Sequence, residues 1–459
     1  MAPTLLGIVV VLSLGHAWSG VLLPDASMET LVTRAVNDDA AGLSTARGFR
    51  VGRPLVVRVL DRPHMRAEHE AALRAVRSPG AADAEARLLA LMGIGAKPPE
   101  ASAMAKPAEA TAAAGPAGGP DVTGFYDPAS KRIYVGNWAS FTEGRAARLK
   151  DVAEALLDRR FPVVERPRRG REPSRDAEAD GDGLWARMAL LEGDATVQII
   201  ERLSPDGALP PTPALLNQLD DVRRTIARED RASPPLDLAR RLFVALDGTT
   251  FVAGVRSRAP WAAVNQVWER PPASSEQILH PEKYERREAP DDVAARLSKL
   301  RGAGTPDEIV YSDTLGELGV RVFLQRAVGD YKAERAAAGW GGDRLRLLRA
   351  PGAGDDVTAE YAVWVTTWDE VSDAQDFVEQ ANQALAALAG APLADVTPRR
   401  RGRPAPREAG RWRATDARGR VFALDWQGRA VTLLCGAPRS AETTLTALTT
   451  AGTRRRGSR

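Results

Sequence analysis

The sequence predicts an α+β fold in which helix dominates, and three observations carry that expectation. Leu184, Met188, Leu191, Ala195 and Ile199 recur at spacings of four and three, which places them on one face of a long helix over Leu184–Leu203. "DVTGFYDPASKRIYVGN" (Asp121–Asn137) reads as strand, Asp-Pro turn and strand. Residues 305–390 read as helix ("LGELGVRVFLQRAV"), strand ("EYAVWVTTW", Glu360–Trp368) and helix ("DAQDFVEQANQALAAL"), an α/β unit at the C-terminal side. With 459 residues, 44% of them hydrophobic, the chain has material for two or three domains with sizeable cores.

Taken in order, the chain opens on "MAPTLLGIVVVLSLGHAWSG". Its apolar run, Leu5–Leu14, is too short to span a bilayer but has the length of a signal-peptide core. Ala17 and Ser19 supply small residues for cleavage before Gly20, although no Lys or Arg precedes the run. Residues 1–19 are therefore expected to be a signal peptide, and the mature chain to be periplasmic or secreted with no transmembrane span. No cysteine closely follows the run, which excludes a lipoprotein anchor.

Residues 20–95 form an N-terminal α/β segment. It holds a helix pattern ("ASMETLVTRAV"), a strand ("RPLVVRVL", Arg53–Leu60), a charged helix ("MRAEHEAALRAVRS") and a further helix ending at Gly95. His64 and His69 are five apart, off a common helix face, and read as surface residues. Residues 96–120 are an Ala/Pro-rich linker. Residues 121–300 are the core. After the strand pair come the helix "LKDVAEALLDRRFP" (Leu149–Pro162), a charged loop (Arg166–Gly183), the long helix, and a helix reaching about Leu246. "GVRSRAPWAAVNQVW" adds two tryptophans, read as core. Residues 301–392 are the C-terminal α+β part of that core. A basic linker (393–410), a short β unit with Gly turns (411–440) and a basic tail (441–459) complete the chain.

Charge and cysteine narrow the function classes. There are 63 Lys and Arg against 60 Asp and Glu, and the excess sits in "PRRRGRPAPR" and "RRRGSR" near the end. Solvated ends explain these runs without a nucleic-acid partner. The one cysteine, Cys435, lies in the apolar "AVTLLCGAP", so it reads as a buried small residue. None of the four histidines is adjacent to it as a catalytic partner.

Two stretches have the residue types for chemistry. In "LKDVAEALLDRRFP", Lys150 and Glu154 are four apart and share a helix face, with Asp151 following Lys150. Glu192 follows 38 residues after Glu154, bordered by Leu190, Leu191 and Ala195; a carboxylate in such a setting needs a partner. In "SSEQILHPEKY", Ser274 or Ser275 can cap a short helix on which Glu276 and His280 are four apart. That pair is suited to holding a metal or moving a proton, or simply to pinning its loop. The glycine-rich "AAAGWGGDR" lacks the Gly-Lys-Ser/Thr of a phosphate loop and reads as a turn.

The middle of the chain, roughly Asp121–Phe377, resembles a family of bacterial secreted gluzincin-like zinc metallopeptidases. The resemblance rests on "GFYDPASKRIYV", "ALLDRRF", "ARMALLEGDATVQ", "PPASSEQILHPEKY", "TLGELG", "AAAGWGGDR" and "WVTTWD" recurring in order. It implies a zincin-like core. In that family the segment before "ALLDRRF" would read His-Glu-Leu-Thr-His. By position, the resemblance puts Lys150 in the first zinc-ligand slot, Asp151 in the general-base slot and Glu154 in the second-ligand slot. Glu192 matches the third ligand, and Glu276 and His280 belong to a motif that lines the cleft. An ammonium has no lone pair for zinc, so the expected cofactor is none, with zinc ligation lost. The sequence reading is a degenerate, catalytically inactive peptidase that binds a peptide, protein or envelope partner. Two other readings stay open. One is an active metal-dependent hydrolase using Asp151, Glu154, Glu192 and His280 with an oxygen-preferring ion. The other is a structural envelope-assembly protein.

Overall fold

The computed structural model describes residues 25–50, 52–75, 79–96, 122–138, 144–162, 180–293, 307–354, 356–398 and 408–439. The signal-peptide span, nearly all of the Ala/Pro-rich linker, most of the charged loop after Phe161 and the basic tail lie outside these residues. The described part is α+β and mostly helical, 55% helix and 19% strand.

The first half is built on a small sheet and a helical core. Helix α1 (Asp25–Arg47) buries Met28, Val32, Val36, Ala40 and Leu43, an apolar stripe at helical spacing. Strand β1 (Val56–Leu60) is followed by α2 (Arg62–Ala75) and α3 (Pro79–Leu91), then by the hairpin of β2 (Gly124–Asp127) and β3 (Arg132–Gly136). The sheet order is β1-β3-β2, with β1 parallel and β2 antiparallel to β3. Asp127 makes the hairpin turn by accepting from the N–H groups of Ala129 and Ser130. Helix α4 (Arg145–Arg160) packs between this sheet and α5 (Gly181–Leu203), the long helix expected from its periodicity.

Around α5 lie α6 (Thr212–Glu229), α7 (Pro235–Leu242), a π-helical turn (Phe243–Asp247), α8 (Gly248–Arg256), α9 (Trp261–Glu269) and the short α10 (Ser275–Leu279) and α11 (Pro281–Glu285). Helices α5 and α8 meet backbone to backbone. A Cβ on Gly193 would lie 2.1 Å from the Gly248 carbonyl oxygen, and one on Gly248 equally close to that of Ala189. Both positions therefore require glycine.

The second half is a seven-stranded sheet. It comprises β4 (Glu308–Asp313), β5 (Trp340–Arg349), β6 (Glu360–Trp368), β7 (Ala394–Asp395), β8 (Ala409–Thr415), β9 (Val421–Gln427) and β10 (Ala430–Ala437). Its order is β4-β5-β6-β10-β9-β8-β7, with every pair antiparallel. Helices α12 (Gly316–Val328), α13 (Asp330–Ala337) and α14 (Val371–Ala389), with α3, bury one face of it. Trp364 anchors that core, edge-on to Phe323 and Phe377.

The sheet changes the expected organisation at two places. The strands of 411–440 do not stand as a separate β unit, because β10 pairs along β6 and completes the sheet begun at residue 308. Strand β7 and the start of β8 fall inside the span read as a basic linker. His69 is also not a plain surface residue: it is half-buried and edge-on to Phe125 at 5.0 Å. Cys435 is buried, as its apolar setting suggested. Among the described residues no helix is long and apolar enough to cross a membrane.

Candidate functional site

Lys150 lies in the middle of α4, whose inner face is buried against the small sheet and α5. Its Nζ donates to Glu154 Oε1 at 2.6 Å, one turn along the same helix. It also donates to Glu192 Oε2 at 3.0 Å, across on α5. The three side chains are 11–13% exposed, so the cluster is nearly dry. The i, i+4 spacing in the sequence put Lys150 and Glu154 together. Only the packing of α4 on α5 brings in Glu192.

Asp151, next in sequence, points elsewhere. It is buried, and a Cβ on Gly124 would lie 3.2 Å from its Oδ2, so the carboxyl rests against the backbone of β2. With Thr123, Gly136, Gly144 and Arg148 it lines a narrow cleft of about 20 Å³, room for one water molecule.

The electrostatics follow from one cation serving several carboxylates. Burial works against the Lys150 ammonium, but Glu154 and Glu192 outweigh it and hold its pKa well above the ordinary value. Burial pushes Asp151 up to about 7 and Glu154 up to about 8, with Glu192 adding repulsion and Lys150 opposing both shifts. Lys150, Asp151, Glu154 and Glu192 would carry a net −2 if all were ionised. The cluster therefore retains a proton near neutral pH.

Zinc does not fit this arrangement. Lys150, at the position that the resemblance assigns to the first zinc ligand, is an ammonium without a lone pair, and it already takes an oxygen from each of Glu154 and Glu192. The alternative ligand set also fails to assemble. No three of Asp151, Glu154, Glu192 and His280 bring ligand atoms to one point among the described residues. His280 Nε2 is instead 3.0 Å from Glu317 of α12, a carboxylate that Arg321 also holds at 2.6 Å. Glu276 and His280 are linked only by the helix backbone, not by their side chains. Ser274 does cap α10, accepting from the Gln277 N–H.

A second lysine cluster was not foreseen. Lys283 of α11 donates to Glu276 at 2.5 Å and to Asp369, just after β6, at 2.6 Å, with Glu288 3.3 Å away. Those three carboxylates bring oxygens within 4.8 Å of one another, a cage already filled by the ammonium. Burial pushes Glu276 up to about 8 against the pull of Lys283. A third case is Lys131, at a left-handed backbone position with φ 58°, which donates to buried Asp158 of α4. Asp158 also accepts from Tyr126 Oη at 2.6 Å.

Only seven of the 63 Lys and Arg in the chain are lysine. Of the four lysines among the described residues, three are bound to buried carboxylates. The rarity of lysine is the signal in the sequence that could have found these positions.

A family profile described as a domain of unknown function, DUF8575, matches residues 307–447. That span holds the seven-stranded sheet with α12, α13 and α14, and it does not reach α4 or α5. No curated protein and no solved structure matches the chain.

Proposed function

We propose that this chain is a peptidase-like binding protein, exported to the periplasm or beyond, in which lysine has taken the place of the catalytic metal. The reading covers a zincin-like first half, with α4 and α5 as the helices that would carry the ligands. The observation that carries it is the position of Lys150 Nζ, 2.6 Å from Glu154 and 3.0 Å from Glu192. A divalent ion would need those same oxygens. One fixed positive charge supports the acidic pocket without offering an open coordination position for a water or a substrate carbonyl. What remains is a folded scaffold, suited to holding a peptide or protein partner on its surface rather than cleaving it.

The test rebuilds the metal site. The triple variant Lys150→His, Asp151→Glu, Glu154→His, with Glu192 kept, is expected to take up one zinc per chain by elemental mass spectrometry. A folded triple variant that binds no zinc would show that α4 and α5 do not have zincin geometry. Circular dichroism separates that result from simple misfolding.

A further inference from the structure

The two large apolar cores are joined along a seam of buried carboxylates. Asp182 of α5 accepts from the Ser275 N–H at 2.9 Å. Asp313, ending β4, accepts from the Gly181 N–H at 2.7 Å. Asp343 of β5 accepts from the N–H groups of Leu315 and Gly316 and from Trp364 Nε1. Ser275 Oγ in turn accepts from the Leu318 N–H at 3.2 Å. These bonds stitch the start of α5, α10 and the start of α12 to β5, and their donors are neutral groups. The fit is tight. Gly316 has φ +70°, and a Cβ there would lie 1.9 Å from Asp182 Oδ1.

Beside the seam is a cavity of about 240 Å³ whose wall includes Asp180, Asp182, Asp291, Asp292, Asp343 and Arg344. Asp182 therefore faces Ser275 from α10, Gly316 from α12, and Asp343 and Arg344 from β5. Asp180 before the same helix and Asp291 and Asp292 on the irregular segment after α11 add further negative charge. Where the interface between two cores is polar rather than large and apolar, relative motion is the default expectation.

We propose that this seam is a pH-sensitive joint that loosens, and opens the acidic cavity, as Asp182 ionises. Burial pushes Asp182 up to about 8, with Asp343 and Asp180 adding repulsion and the Ser275 hydrogen bonds opposing it. Burial raises Asp343 and Asp313 as well. In an opened seam, wetted by solvent, Asp182 returns to an ordinary carboxyl near about 3.9. Between those two values the closed form binds a proton that the open form releases. The contribution of this proton to closure is therefore full below the ordinary value, falls away as pH rises toward about 8, and changes no further above it. Within that window each pH unit shifts the open-to-closed ratio about tenfold.

Amide hydrogen exchange from pH 5 to 9, corrected for intrinsic rates, tests the joint. The reporters are the N–H groups of Gly181, Ser275, Leu315, Gly316 and Leu318. Their protection is expected to fall about tenfold per pH unit up to about pH 8 and then level. Strands β6 and β10 should not follow. Asp182→Asn, a neutral isostere, should flatten the profile. Wild-type protection that does not change with pH, or that changes equally in β6 and β10, would overturn the proposal. So would a folded Asp182→Asn variant that keeps the slope. If that variant does not fold, the wild-type profile and its levelling near pH 8 decide the matter.

Discussion

Replacing Lys150 with methionine is expected to destabilise the protein by about 3–5 kcal/mol at neutral pH. Methionine keeps most of the side-chain volume, so packing loss is minor. What remains is Glu154 and Glu192, each only 11–13% exposed, without their common cation. Removing one partner of a buried charge cluster costs far more than an exposed i, i+4 pair contributes, which is about 0.3–0.5 kcal/mol. The carboxyls escape by holding protons, so the deficit should shrink as pH falls and both groups become neutral. Adding Glu154→Gln and Glu192→Gln to the methionine variant should recover most of the loss. Urea unfolding at pH 5 and pH 8 measures all three proteins. A loss below about 0.5 kcal/mol for Lys150→Met would mean that the cluster is a solvated surface pair.

Asp194→Ala is expected to cost at least as much, about 3–5 kcal/mol. Asp194 is fully buried in α5 and receives both Nη groups of Arg47, whose side chain is 1% exposed. It also accepts from Trp268 Nε1 at 2.7 Å and Gln198 Nε2 at 3.1 Å. Alanine would leave the Arg47 guanidinium with the Asn265 Oδ1 contact at 2.6 Å and the faces of Trp261 and Phe49, none of them charged. Cation–π contacts of about 0.5–2 kcal/mol do not offset a buried unpaired guanidinium. The last residue of α1 and the first turn after it should then loosen from α5. Denaturant unfolding gives the magnitude, and increased exchange confined to α1 and α9 would show where it acts.

Features of the fold and site that depend on neighbours in sequence were legible. The long helix α5 showed in the spacing from Leu184 to Ile199. The β2–β3 hairpin showed in its Asp-Pro turn, and the Lys150–Glu154 pair in one helical repeat. Glu192 was legible as a carboxylate in apolar company, though not the identity of its partner.

Features made by distant segments were not. Arg47 and Asp194 are 147 residues apart, and nothing local marks either as the other's counter-ion. Lys283 meets Asp369 across 86 residues. Strand β10 looked like the edge of a separate unit because its partner β6 lies on the far side of α14 in the chain. His280 was paired with Glu276 on helical spacing, yet α10 stops at Leu279, and the ring turns to Glu317 instead. A five-residue helix does not extend far enough for the i, i+4 rule to hold.

In the reading proposed here an ammonium, and not a metal, neutralises the carboxylates between α4 and α5. The most direct test is elemental mass spectrometry on the purified wild-type protein, before and after loading with zinc and dialysis. Less than about a tenth of an equivalent of metal per chain is expected in both samples, because Lys150 occupies Glu154 and Glu192. One equivalent of zinc per chain, removed by Glu192→Gln, would contradict it and make the pocket a working metal site.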